Sequence, residues 1–187
     1  MYISPAQLRE FESRHGHPRE LRASYEMRPR EFDGLLKSQK HGRSHDITFF
    51  IRKEMGWVVI AKHWYPQGLY RIPSGGIRPD ESMEEGTLRE AREETGGIIS
   101  LQEYFLRINV SFTSNGRSVD WTTHLVLADW QRGKLGPIDT REIRETRLAE
   151  REEFGDFGRI MLKSDSGGLH YREWLHRQAF KILDKRA

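Results

Sequence analysis

The sequence of 187 residues predicts an α/β fold. Three observations carry that reading. Runs rich in β-branched and aromatic residues alternate with runs of helical periodicity. A glycine loop at Pro73-Ser74-Gly75-Gly76 leads directly into a short, carboxylate-rich helix with caps at both ends. Two further helical segments, the second with an apolar side, close the chain. The length suits one domain with a sizeable core, and no internal repeat, low-complexity tract or long linker divides it.

Ser4-Pro5 is an N-cap followed by proline at the first helical position, which opens a helix to about His15. Gly16-His17-Pro18 ends it. Leu21–Met27 reads as a strand and Pro29–Lys37 as a short helix, followed by a polar loop over Ser38–His45. Asp46–Arg52 (DITFFIR) and Trp57–Lys62 (WVVIAK) read as a hairpin broken at Met55-Gly56. Leu69–Ile72 reads as a short strand feeding the glycine loop.

Ser82 with Glu85 forms a capping box, so a helix starts near Met83, and Gly96-Gly97 ends it. Leu88, Ala91 and Thr95 are expected on its core side. Ile98–Thr113 and Ser118–Trp130 follow as strands around an Asn115-Gly116 turn, then a strand over Arg144–Leu148. Glu153–Leu162 and Leu169–Lys185 read as the closing helices, the second with Trp174, Leu175, Ala179, Ile182 and Leu183 on its apolar side. Ser166-Gly167-Gly168 lacks the lysine and spacing of a P-loop and reads as the loop before it.

Composition narrows the class. The chain has no cysteine, which excludes disulfides and thiolate metal sites. Its histidines show no zinc-type spacing. The charged N-terminus has no apolar signal segment and no stretch could span a membrane, so a cytoplasmic location is expected. The net charge is +3 and the pI about 9.2. That mild basic bias suits phosphate-rich ligands without demonstrating nucleic-acid binding.

The chemistry concentrates between Gly75 and Gly97. On the helix Glu90 and Glu94 are four residues apart and Glu93 lies beside them, so the three share one side. Carboxylates that close repel one another unless a cation sits among them. An all-oxygen set suits a hard ion, Mg2+ or Mn2+. Arg89 is four residues from both Glu85 and Glu93, so it can pair along the helix or reach back to Glu81. A solvated, Glu-rich surface helix is the bland alternative.

Gly75, Glu81, Arg89-Glu90, Ala91, Glu93-Glu94 and Gly96 follow the pattern G-x5-E-x7-R-E-U-x-E-E-x-G-U, U being a bulky aliphatic residue. The segment closely resembles the Nudix box. Ala91 is small for its position, and Gly97 stands where an aliphatic residue is usual. Both are packing positions. The resemblance covers about Asp46–Leu162 as a fold. It implies a Nudix-type α/β/α sandwich around a mixed sheet over 46–187, with residues 1–45 as a helix–strand–helix extension. Such extensions stabilise the core, build a homodimer, or line the substrate pocket.

The resemblance further implies metal-dependent hydrolysis of a diphosphate linkage by water attack at phosphorus. Glu90, Glu93 and Glu94 are then metal ligands, with the Ser74 carbonyl or a neighbour as an additional one. Arg89 and Glu81 become the partners that fix the loop–helix geometry. Glu142 and Glu145 are candidates for a distal carboxylate, in a run (IDTREIRETRL) similar to the family's acidic loop.

Lys62, Arg71 and Arg78 flank the loop as candidate phosphate contacts, Arg78 being the best placed. Trp64-Tyr65 read as core aromatics rather than a base-stacking pair, and Asp120-Trp121 as packing. The implied partner is a small nucleoside diphosphate derivative or nucleoside triphosphate. The region Asn109–Ser114 carries neither the proline nor the tyrosine that marks two of the subfamilies, so no subfamily is assigned. A non-catalytic nucleotide sensor and an RNA 5′-pyrophosphohydrolase are the rival classes.

Overall fold

The segment His45–Ile51 is buried at every position, which requires cover on both faces of the strand that carries it. A computed structural model supplies that cover and describes residues 3–39 and 42–185. Five helices and seven strands are present among them: α1 (Pro5–His15), β1 (Arg19–Glu26), α2 (Pro29–Ser38), β2 (His45–Lys53), β3 (Gly56–Lys62), β4 (Ser74–Gly75), α3 (Met83–Thr95), β5 (Gly97–Ser114), β6 (Arg117–Gly133), β7 (Ile143–Ala149), α4 (Glu153–Lys163) and α5 (Gly167–Leu183). The strands form one mixed sheet in the order β1-β5-β6-β2-β3-β7, with β4 also paired to β2. β1 runs parallel to β5 and β2 parallel to β6, while the other pairs are antiparallel.

Side-chain alternation along β2 assigns the two layers. Ile47, Phe49 and Ile51 pack with Phe11 of α1 and Met83 and Ala91 of α3. Phe50 points the other way, into a cluster with Phe32 of α2, Phe154 and Met161 of α4, and Leu175 and Phe180 of α5. Phe50 meets Phe105 and Phe180 edge-on, at centroid distances of 5.7 and 5.4 Å. This is a mixed α/β sandwich with helices on both faces, as expected.

The N-terminal segment is built into that sandwich. β1 extends the sheet along β5 from Arg19–Leu106 to Glu26–Thr113. Glu31 of α2 accepts hydrogen bonds from Gly167 N (3.1 Å), Gly168 N (2.8 Å) and Ser166 Oγ (2.5 Å), placing a carboxylate at the N-terminus of α5. No helix among the described residues is long and apolar enough to cross a membrane.

Local chemistry accounts for several boundaries. Ser4 and Ser82 both form capping boxes. Asn115 and Gly116, at φ 49° and 74°, make the tight turn that joins β5 to β6.

Five expectations need correction. The break in the β2–β3 hairpin falls at Glu54-Met55, with Glu54 at φ 55°, and Gly56 already belongs to β3. Leu69–Ile72 is not a strand but contributes a single bridge, Arg71 to Ile60. Trp64 is 64% exposed rather than core. Leu88 is also exposed, because the buried stripe of α3 runs through Met83, Thr87, Ala91, Glu94 and Thr95. Ser38 and His45, expected in a loop, belong to α2 and β2, and residues 40 and 41 of that run lie outside the described residues.

Candidate active site

A splayed hairpin creates the site. β2 and β3 pair only beside their turn, at Arg52–Trp57 and Lys53–Gly56. Beyond it they separate and residues 71–75 fill the gap. Arg71 bridges Ile60, Phe49 N donates to Pro73 O (3.1 Å), and Ser74 and Gly75 pair with Thr48 and Ile47. The glycine loop is thereby held in mid-sheet, alongside α3.

Arg89 ties loop to helix. Its Nε and Nη2 donate to Glu81 Oε1 and Oε2 at 2.5 and 2.8 Å, and Nη2 also reaches Gly76 O at 2.9 Å. Nη1 donates to Glu90 Oε1 (2.9 Å) and Glu93 Oε2 (3.2 Å). The Arg89 hydrogen bonds, joined by one from Arg78 N, hold the Glu81 carboxyl below the ordinary range. Such a two-pronged guanidinium–carboxylate contact fixes orientation as well as distance.

Two carboxylates are aimed at the loop backbone. Glu90 Oε1 accepts from Gly76 N at 3.3 Å and Glu94 Oε2 from Ser74 N at 3.0 Å. The approach requires glycine: a Cβ on Gly75 would lie 2.2 Å from the Glu90 carboxyl carbon. Burial raises the Glu90 pKa, and Glu93 adds to the effect. Burial pushes Glu94 up to about 7. Arg71, 3.9 Å away, and Lys62 only partly offset that burial, while Glu90 and Glu142 reinforce it.

Among the described residues no three His, Asp or Glu side chains converge closely enough to grip an ion. Glu90, Glu93 and Glu94 share one side of α3, but only Glu90 and Glu93 share a donor, Arg89; Glu90 also engages Gly76 N, and Glu94 engages Ser74 N. The donor set nonetheless fits a hard divalent cation. It is all oxygen, and Glu90 and Glu94 are both shifted towards the neutral form by burial and by neighbouring negative charge, which a cation would reverse.

The other candidate residues divide. Arg78 and Glu142 line a cleft of about 810 Å3 together with Gly76, Arg89, Glu90 and Glu93. Arg78 is well exposed, with Glu81 and Glu93 each 3.9 Å away. Lys62 is ion-paired with Glu142 and lies 5.0 Å over the Trp64 ring. Glu145 accepts from Tyr70 Oη at 2.6 Å, outside the cleft lining. Arg71 is buried and turned inward, donating to Tyr65 Oη (3.0 Å), Ile72 O (2.7 Å) and Ser74 Oγ (2.9 Å). The acidic loop reaches the cleft because Ile138 N and Asp139 N both donate to Glu93 O, at 2.9 Å each, at the C-terminal end of α3.

Sequence reasoning missed Asp46, Arg172 and Arg43. Buried Asp46 accepts from Trp121 Nε1 (2.9 Å), Thr123 Oγ1 (2.7 Å) and Arg172 Nη2 (2.7 Å). Arg172 also donates to Ser74 Oγ (3.1 Å), which joins α5 to the glycine loop. The available signals were weak: an acid opening an otherwise apolar strand, and an arginine in the closing helix.

A glycine loop that presents backbone donors to a carboxylate helix, wedged into a mixed sheet between helical layers, defines a Nudix-type domain. Residues 40–172 match the family model of the NUDIX domain, and the chain belongs to that family. Hydrolases of the family generally use divalent metal ions. Among solved structures, a NUDIX-family hydrolase from Clostridium perfringens is 14% identical, with 78% of this chain and 99% of that one covered and a TM-score of 0.51. A C. elegans Ap4A hydrolase is 15% identical over 76% and 98% of the two chains, at a TM-score of 0.50. A NUDIX hydrolase from Nitrosomonas europaea is 18% identical, with a TM-score of 0.47. The match covers 60% of this chain and 61% of that one, so this chain spans about three-fifths of that relative's length. At these identities the likeness is one of fold.

Proposed function

We propose that this protein hydrolyses the diphosphate linkage of a nucleoside diphosphate derivative or nucleoside triphosphate in a reaction dependent on Mg2+ or Mn2+. The observation that carries the reading is the seating of Glu90 and Glu94 on the backbone N–H groups of Gly76 and Ser74, at 3.3 and 3.0 Å, with Arg89 locking loop and helix together. A surface helix of solvated charges would not bury Glu94 or require glycine beneath Glu90.

Glu90, Glu93 and Glu94 would hold the cation, with the Ser74 carbonyl as a further ligand. A divalent ion bound there neutralises diphosphate charge and makes water more acidic. Arg89 and Glu81 keep Glu90 and Glu93 facing the cleft, with Glu94 buried behind them. Arg78, exposed at the cleft, contacts phosphate oxygens. Lys62 holds Glu142 at the cleft, whereas the inward-facing Arg71 braces Ser74 and Glu94. Of the two distal carboxylates, Glu142 would take the proton from the attacking water: it lines the cleft, where Lys62 pairs with it, whereas Glu145 lies outside the lining and is bonded to Tyr70.

The test is product release from nucleoside triphosphates, ADP-ribose, dinucleoside polyphosphates, NADH, nucleotide sugars and 5′-triphosphorylated RNA, each with Mg2+, Mn2+ or EDTA. One solved neighbour is named an Ap4A hydrolase, which gives the dinucleoside polyphosphates a place in the panel. Metal-dependent cleavage of one class supports the reading. Silence across the panel from folded protein counts against hydrolysis and for a nucleotide sensor.

A further inference from the structure

The cleft has a second wall that the box does not supply. Lys37 of α2 and Arg43, between α2 and β2, line it together with Glu90 and Glu93 of the carboxylate helix. Most other cations near the site are committed. Arg89 serves Glu81, Glu90 and Glu93, Lys62 pairs with Glu142, Arg141 with Asp139 and Arg172 with Asp46. Arg43 differs: among the described residues it pairs with no carboxylate, and its buried Nε has no hydrogen-bond partner.

Arg43 is nevertheless held in place. Its guanidinium lies over the Trp121 ring, 5.5 Å from the centroid, and Trp121 is anchored through Nε1 to Asp46 at 2.9 Å. The head group rests on the glycine loop, where a Cβ on Gly76 would come within 1.9 Å of Arg43 Nη1. Gly76 N in turn donates to Glu90 at 3.3 Å. With ordinary backbone bond lengths, the guanidinium and the Glu90 carboxylate are no more than about 8 Å apart, a gap that two bridged phosphates can span. An arginine fixed by stacking, with no carboxylate partner among the described residues, is preorganised for an anion.

We infer that Arg43, seconded by Lys37, forms an anion subsite that takes the phosphate of a diphosphate or longer polyphosphate lying away from the carboxylate row. The inference rests on the hydrolase reading for its substrate and adds that the N-terminal segment completes the site. Trp121 is a positioning residue that acts through Arg43.

The experiment measures calorimetric binding of inorganic pyrophosphate in Mg2+ to wild type, Arg43→Ala, Arg43→Lys and Lys37→Ala, alongside kcat and KM on whichever nucleotide is cleaved. Arg43→Ala should weaken pyrophosphate about tenfold or more and raise KM by a similar factor, with kcat changed less. Arg43→Lys should recover part of both, because the charge returns without the fork. Should Arg43→Ala fail to fold, Arg43→Gln takes its place, with a thermal melt as the check. Pyrophosphate bound equally well by wild type and the Arg43 variants overturns the subsite, even if nucleotides are cleaved. Pyrophosphate binding that needs Arg43, in a protein that cleaves nothing, supports the subsite and refutes the hydrolase reading.

Discussion

Glu94→Gln should stabilise the metal-free protein while abolishing its activity. The Glu94 carboxyl is pushed from an ordinary 4.5 up to about 7, chiefly by burial, so at neutral pH and above the fold contains a charge it disfavours. The sign follows from proton linkage. Between pH 4.5 and 7 the folded chain keeps a proton that the unfolded chain has released, so this group's contribution to stability declines as pH rises through that window. Taken over the whole gap, the cost is on the order of 3 kcal/mol at pH 8 and on the order of 1 kcal/mol at pH 5.5.

Glutamine keeps an oxygen to accept from Ser74 N and cannot ionise. Urea unfolding of wild type and variant in EDTA, at both pH values, gives the comparison. Taking the difference between the two proteins cancels the titrating groups that are not coupled to Glu94. Glu94→Gln should be the more stable by about 3 kcal/mol at pH 8, roughly 5–10 °C in Tm for a chain of this size, and by less than half that at pH 5.5. Adding Mg2+ should raise the stability of wild type and leave the variant unmoved. A difference that does not change with pH, or a wild type more stable than the variant at pH 8 in EDTA, would refute the reasoning.

Three further outcomes follow from the same structure. Gly75→Ala places a Cβ 2.2 Å from the Glu90 carboxyl carbon; it should cut kcat/KM about a hundredfold with little loss in a thermal melt, and near-normal turnover would contradict the seating of Glu90. Gly97→Val drives a side chain into the Trp130 ring, 2.2 Å from the added Cβ, and should cost about 1–3 kcal/mol; urea melts should show Trp130→Leu recovering much of that in the double variant, and strict additivity would count against the contact. His45, His124 and His176 are buried, chiefly by burial lowered to about 4, 3 and 3 from an ordinary 6.5. Below pH 6.5 the unfolded chain takes up protons that these folded imidazoles refuse, so stability should fall by on the order of 2 kcal/mol per histidine at pH 5, and a urea midpoint constant from pH 7 to 5 would sink this.

The helix that carries the carboxylates was legible because its signals are local. Ser82 and Glu85 cap one end, Gly96 at φ 74° the other, and the spacing of Glu90, Glu93 and Glu94 sets their common side. Strand existence was legible from β-branched and aromatic content, as in DITFFIR. Pairing was not, because alternation along β2 and β3 does not reveal that they splay to admit residues 71–75.

The departure at Gly97 has a reason visible only in three dimensions, since the Trp130 ring from β6 occupies the space an aliphatic side chain would fill. Trp64 misled because aromatic content is read as burial, yet this ring lies outside the sheet with Lys62 above it. Asp46, Arg172 and Arg43 became site residues only through contacts between segments as much as 126 positions apart.

In the proposed reaction the carboxylates of α3 direct metal-dependent water attack on a diphosphate. The most direct measurement is turnover of the cleaved nucleotide in 18O-labelled water by wild type, Glu90→Gln and Glu94→Gln, with Mg2+ and with EDTA, followed by mass spectrometry of the products. Wild type with Mg2+ should place one 18O on a product phosphate, and neither variant, nor wild type in EDTA, should form product. Undiminished cleavage by Glu94→Gln, or cleavage that survives EDTA, would contradict the proposed reaction.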